Sequence, residues 1–434
     1  MREKFQTYTF DNGFRLAWQP TNSKTIFGSL RVSHGALHER DGEEGVAHFL
    51  EHMLCEGGTL KYTPEEQQRI RGSFGYTNAF TSGTETSIPG GIVSSDLEGY
   101  LDMVSQMVFS PRLDQKVLKQ QQKVVLSEVS RKKGAPGFED MWKFFIPEIT
   151  RSRDHSYFVL GDEQVIQNIT ETQLRNFHSR GYNPNNMILM VAGNLPKNIV
   201  ERVGNYFGDQ PVGPGKPIVP SKVKPLQKTS IRYSSAPDLL NKDNPEESNS
   251  GLSLAVVVPD EFHEDSAALN ITSEILGHSW TTGLKKRIRS EEGMSYDIGS
   301  GYDGSNNYGY FGIGGGIHTR RQEKAIDIIF EEFDKLKSTK LDEEEVIRAK
   351  KRASYETANS LENPFAQLVS TDPVNVPEVA RMDYEFDERV PIDRKLEQIE
   401  RVTPEDVQRV ASLYLPSDRK TGKYVMMVRD PLRK

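Results

Sequence analysis

One cysteine, Cys55, stands among 434 residues, so an internal disulfide is excluded. Long apolar runs are missing too: none approaches the length of about twenty residues that a membrane helix needs. Positive charge is in short supply, with 55 Lys and Arg against 62 Asp and Glu and a formal charge of −7. No basic patch laced with aromatics stands out, which argues against a nucleic-acid surface. The first residues, MREKFQTYTFDNGFRLAW, read as strand and not as a charged start before an apolar run, so no signal peptide is expected. Together these absences predict a cytoplasmic protein with neither nucleic acid nor membrane as partner. Its length suits two to three domains.

What is present begins with HFLEH, His48 through His52. On a helix His48 and His52 lie four residues apart on one face, with Glu51 beside them. Two imidazoles and a carboxylate in this order suit a zinc ion with an open position for water. The pattern HxxEH reverses the commoner HExxH and is called inverzincin. By itself, a five-residue match fits a solvated helix face with two surface histidines as well as it fits a zinc site. The surroundings favour the metal. Val46, Phe49, Leu50, Met53 and Leu54 give the segment an apolar face at helical spacing, Gly57 and Gly58 stop it, and Glu43, Glu44 and Gly45 precede it.

A third ligand is expected from the run VLKQQQKVVLSEVSRKK, where Val117, Leu118, Val124, Val125 and Val129 suggest an apolar side and Glu128 lies on the polar remainder. Glu128 follows His52 by 128 − 52 = 76 positions, at the end of a VVLSE segment. With this spacing the chain resembles the pitrilysin (M16) zinc metallopeptidases, and among them the two-domain M16B-type subunits of bacterial processing-peptidase-like proteins. Three more stretches carry the resemblance. GYTNAFTSGTETS is similar to the family's edge strand, which grips an extended peptide by its backbone and implies Asn78, Ala79, Phe80 and Thr81 as substrate-binding residues. YNPNNMILMVAGNL resembles the penultimate strand of the first domain. RSEEGMSYDIGSG resembles the segment whose arginine and tyrosine meet substrate backbone and the developing oxyanion, here Arg289 and Tyr296.

The resemblance implies an α+β fold of two homologous domains, each a mainly antiparallel sheet packed against helices. Residues 1–208 would form the zinc-binding domain, the Pro- and Gly-rich stretch 209–228 a linker, and 229–434 a homologous domain without metal but with Arg289 and Tyr296. The chain repeats its order: TIFGSLRVS leads to EEGVAHFLEHML, and LSLAVVVP leads to DSAALNITSEIL, where the metal positions are lost. The implied activity is zinc-dependent endopeptidase. His48, His52 and Glu128 bind the ion, Glu51 takes the proton of the attacking water, and Arg289 and Tyr296 stabilise the oxyanion. Four such domains enclose a chamber in the family, so a homodimer acting on peptides or unfolded polypeptide is implied, with Arg289 and Tyr296 serving the partner's metal. A heterodimer with a related subunit is the other arrangement. Two departures stand out: Gln121 where the family usually has a second glutamate, and Ile88 where tyrosine is frequent. The first keeps open a non-catalytic, peptide-binding or scaffold subunit. Cys55 is expected in the core, the other histidines as ordinary residues, and GYFGIGGGIHTRR as strand rather than phosphate loop.

Overall fold

The computed structural model describes residues 6–218, 220–305, 308–362 and 392–433. Residues 363–391 of the expected C-terminal domain lie outside the described residues. Runs rich in β-branched and aromatic residues build two sheets. The first holds β1 (Gln6–Thr9), β2 (Arg15–Pro20), β3 (Thr25–Val32), β4 (Tyr76–Thr77), β5 (Phe80–Thr81), β6 (Thr86–Val93) and β7 (Met187–Gly193). Its order is β1-β2-β7-β3-β6-β4, with β5 also on β6. All pairings are antiparallel except β2 with β7. The MILMVAG run of β7, between β2 and β3, is buried at all 7 positions, as a continuous apolar run suits a strand covered on both faces. In chain order β7 is the last strand of this sheet, not the penultimate one.

Among the helices beside it are α1 (Val46–Glu56), α2 (Pro64–Ser73), α3 (Leu97–Phe109) and α4 (Gln115–Lys133). Tyr100 of α3 lies across Gly28 and Gly90, which are register partners on β3 and β6. A Cβ at Gly28 would fall 2.8 Å from the ring and one at Gly90 2.5 Å, so both positions must lack a side chain. On α4 the buried stripe is Val117, Leu118, Gln122, Val125 and Val129. Val124 departs from expectation and is half exposed. One position before Val125, it lies about 100° from that residue around the helix, outside the stripe of Leu118, Gln122, Val125 and Val129.

The second sheet holds β8 (Ser230–Ser235), β9 (Asn249–Val258), β10 (Gly299–Ser305), β11 (Tyr308–His318) and β12 (Val425–Asp430), in the order β10-β11-β9-β12-β8. Only β12 with β8 is parallel. The glycine-rich GYFGIGGGIH is strand β11. A helix over Ser266–Ser273 follows β9 as α1 follows β3. The chain is thus α+β, with two mainly antiparallel sheets and their helices. Two compact units divide it. The described residues of Met1–Lys133 and Tyr157–Pro220 belong to one, and those of Gly134–Ser156, Ser221–Leu361 and Arg389–Lys434 to the other. Each has its own apolar cluster, around Phe14, Phe49 and Tyr100 in the first and Phe311, Phe333 and Tyr424 in the second. No helix among the described residues is long and apolar enough to cross a membrane.

Candidate metal centre

The apolar spacing of α1 puts Val46, Phe49, Leu50, Met53 and Leu54 into the core. His48 is 7% exposed, and Glu51 and His52 are half-buried on the remaining edge. The helix starts from Gly45 at φ 99°, where an added Cβ would sit 3.0 Å from the Leu160 carbonyl oxygen. Gly45 has no side chain to cap the free N–H groups, and a distant carboxylate does so. Glu39 accepts from Gly45 N (2.9 Å), Ala47 N (2.7 Å) and the Tyr157 hydroxyl. The acidic residues next to the helix play another part, for Glu43 accepts from the Arg180 guanidinium.

Burial pushes the Glu39 carboxyl up to about 7, although its three donors favour the charged form. Removing it leaves two helix N–H groups unpaired inside the protein. Glu39→Ala is expected to cost the metal-free protein about 2–3 kcal/mol, read from urea unfolding. A loss under 0.5 kcal/mol, about the least that a helix cap contributes, would remove this role. Since the folded value lies above the unfolded one, the proton-linked contribution is present below about 4.5 and fades as pH rises through 7. The same unfolding measured from pH 5 to pH 8 should therefore fall more steeply for wild type than for Glu39→Ala.

α4 brings the third donor. Glu128 Oε2 lies 3.7 Å from His48 Nε2 and 3.6 Å from His52 Nε2. The candidate ligand atoms of the three residues all fall within 4.8 Å of one another. Tetrahedral zinc with bonds of about 2.0–2.1 Å separates its ligands by about 3.4 Å, so this donor set fits the ion. Burial, with the neighbouring His52, lowers His48 to about 3 and keeps it neutral, as a ligand must be. His48 Nδ1 is buried without a hydrogen-bond partner among the described residues. His52 Nδ1–H donates to Gln121 Oε1 (3.1 Å), which leaves the Nε2 lone pair for a metal. Gln121 thus accepts the bond a glutamate would accept, without its charge.

Glu51 is outside this grouping. Thr81, expected to touch substrate, donates its hydroxyl to Glu51 Oε2 at 2.6 Å. Burial, aided by the charge of Glu128, pushes the Glu51 carboxyl up to about 7, while Thr81 and His52 hold it back. The edge stretch behaves unevenly. Asn78 is exposed, its N–H donates to Pro89 O (3.2 Å), and Phe80 is half-buried opposite Ser87. Ala79 is 8% exposed and packs in the core. β4 ends the sheet order, with β6 as its partner. Cys55 is a core residue whose thiol burial pushes up to about 12. His34 and His178 pack as ordinary residues around Phe177 and Tyr182.

In the second unit the counterpart of His52 is Glu274, which is buried and receives the Arg352 guanidinium at 2.9 Å. Arg289 and Tyr296 meet there, with the guanidinium 4.2 Å from the ring centroid. Trp280, which the motif reading missed, adds its own ring 4.9 Å from Arg289. No short pattern marks it, since a tryptophan before a helix is more often core.

Two family models match the chain: one described as insulinase (peptidase family M16) over residues 17–150, the other as peptidase M16 inactive domain over residues 168–353. An uncharacterized zinc protease, YmxG of Bacillus subtilis, is 25% identical over 365 residues, covering 83% of this chain and 85% of that protein. Among solved structures, a protease from Helicobacter pylori superposes with TM-score 0.78 at 19% identity, covering 99% of this chain and 100% of the other. The periplasmic protease PqqL of Escherichia coli superposes with TM-score 0.77 at 18% identity, covering 99% of this chain but 48% of that one. With an M16 model on each side of residue 160, this chain belongs to the M16 peptidase family.

Proposed function

We propose that the chain is a zinc-dependent endopeptidase that hydrolyses peptides or unfolded segments in a chamber formed by two copies. The observation that carries this reading is the convergence of His48, His52 and Glu128 with Glu51 beside them but not among the ligands. Bound there, zinc supplies a Lewis acid that acidifies a water molecule and polarises a peptide carbonyl. His48, His52 and Glu128 would hold it. Glu51 takes the proton of the attacking water at a carboxylate oxygen and returns it to the leaving amine nitrogen, while Thr81 fixes the other oxygen. The terminal strand β4 and the stretch after it, with Asn78, Ala79, Phe80 and Thr81, align the peptide backbone. Arg289 and Tyr296 donate to the oxyanion.

The homodimer rests on length: this chain matches 48% of PqqL, so two copies supply as much chain as that protease has. In such a pair Arg289 and Tyr296 act on the partner's metal. A second reading, a peptide-binding subunit that does not cut, rests on Gln121, which accepts a hydrogen bond from His52 but cannot move a proton. Mixing Glu51→Gln with Arg289→Ala chains separates these readings. Each variant alone should leave unstructured peptides intact. Random reassortment should restore about a quarter of wild-type activity, since half the dimers then hold one complete site. Continued failure of the mixture defeats action in trans, and an inert wild type defeats the peptidase.

A further inference from the structure

We propose that Trp280 and Lys285 extend the Arg289–Tyr296 pair into a surface that binds a carboxylate side chain of the substrate, making the enzyme selective for acidic segments. The inference rests on the peptidase reading. It begins with the run Lys285–Arg289, KKRIR, in which the cations are treated unequally. Lys286 pairs with Glu291 at 3.6 Å, and Arg287 with Glu331 at 2.9 Å and Glu332 at 3.0 Å. Lys285 and Arg289 have neither ion pair nor hydrogen bond to an acid among the described residues. Both lie over the Trp280 indole instead, each at 4.9 Å, and Arg289 also lies over Tyr296.

Backbone geometry arranges this. Lys285–Glu291 winds as a π-helix, a wider turn than the α-helix and frequent at functional sites. Lys285 and Arg289 thereby share one side. Trp280 is 58% exposed and Tyr296 79%, so two large rings face solvent beneath two cations that have no acidic partner among the described residues. A guanidinium lying over the rings has five N–H donors, more than one oxyanion takes, and the remaining donors can meet a carboxylate. The lysine adds a second charge, and the indole gives apolar area for the methylenes of a glutamate. The patch is thus opposite in sign to the chain, whose formal charge is −7. That overall charge disfavours polyanions such as nucleic acid and leaves a single acidic side chain as the better fit.

The test uses zinc-loaded full-length protein and unstructured peptides that differ only in Glu, Gln or Lys, moved through each position around the cleaved bond. At one position wild type should favour Glu over Gln by about tenfold in kcat/KM. Trp280→Ala should shrink that ratio below about threefold, and Lys285→Glu should turn the preference toward Lys. No Glu preference in wild type, or the same ratio in both variants, overturns the proposal. Binding supplies a readout without turnover. An acidic peptide added to Glu51→Gln should change the tryptophan fluorescence, and the change should vanish when Trp280→Phe is added. Peptides cut without any acid preference sink this surface alone. Acid-dependent fluorescence in a chain that cuts nothing sinks the peptidase reading and leaves the surface standing.

Discussion

Glu51→Gln is expected to lower kcat for peptide hydrolysis by roughly a thousandfold while the zinc content stays at one ion per chain. The argument is geometric. Glu51 does not belong to the ligand grouping, and its Oε2 is occupied by the Thr81 hydroxyl at 2.6 Å. A glutamine keeps the shape and can still accept from Thr81, yet it cannot take a proton from water. The loss should therefore fall on kcat, with KM changed by less than about threefold, as for a group that acts in the transition state. Metal analysis beside steady-state kinetics decides the matter. Loss of zinc from the variant would make Glu51 a ligand, and a rate within tenfold of wild type would remove its role as base.

Glu128→Ala should have the second large effect, on the metal itself. His48 and His52 are neighbours on α1 and remain after the change, but Glu128 alone joins them from α4. Without it the two imidazoles lack the charged third donor, and the donor set offsets none of the ion's charge. Residues that merely support a ligand change affinity by about 10–100-fold, so losing a ligand should exceed that. Zinc per chain after gel filtration should fall from about one to near zero. The thermal stabilisation that added zinc gives wild type should also disappear, because it follows from binding to the folded state. Full zinc occupancy in this variant would exclude Glu128 from the site.

Most of the metal centre could be read from sequence because it obeys short-range rules. Helical periodicity places His48, Glu51 and His52 on one edge of α1, and the resemblance to the M16 pattern, 76 positions on in a valine-rich run, implies Glu128. What escaped is the long-range support. Glu39 reaches α1 from seven residues upstream of its first residue, Val46, and its other partner Tyr157 is 118 residues away. No rule of adjacent capping finds such a residue. The Thr81 to Glu51 bond is likewise a product of sheet and helix packing, since neither residue has a local motif that names the other. Val124 shows the opposite failure: its apolar character counts it into the buried stripe, while its angle on α4, about 100° from Val125, turns it out of that stripe. Ala79, in an edge stretch, turns its side chain inward, which the motif does not signal.

The place of β7 in its sheet has a consequence for the order in which the protein is made. β7 fills the gap between β2 and β3, and pairs Leu30 with Leu189, 189 − 30 = 159 residues later. A growing chain on the ribosome therefore carries His48, His52 and Glu128 well before the sheet beneath α1 can close. During that interval β2 and β3 keep open edges that invite wrong pairing with another chain. Loading of the metal into a rigid pocket must then wait for the strand that completes the sheet, so maturation depends on a segment that contributes no ligand.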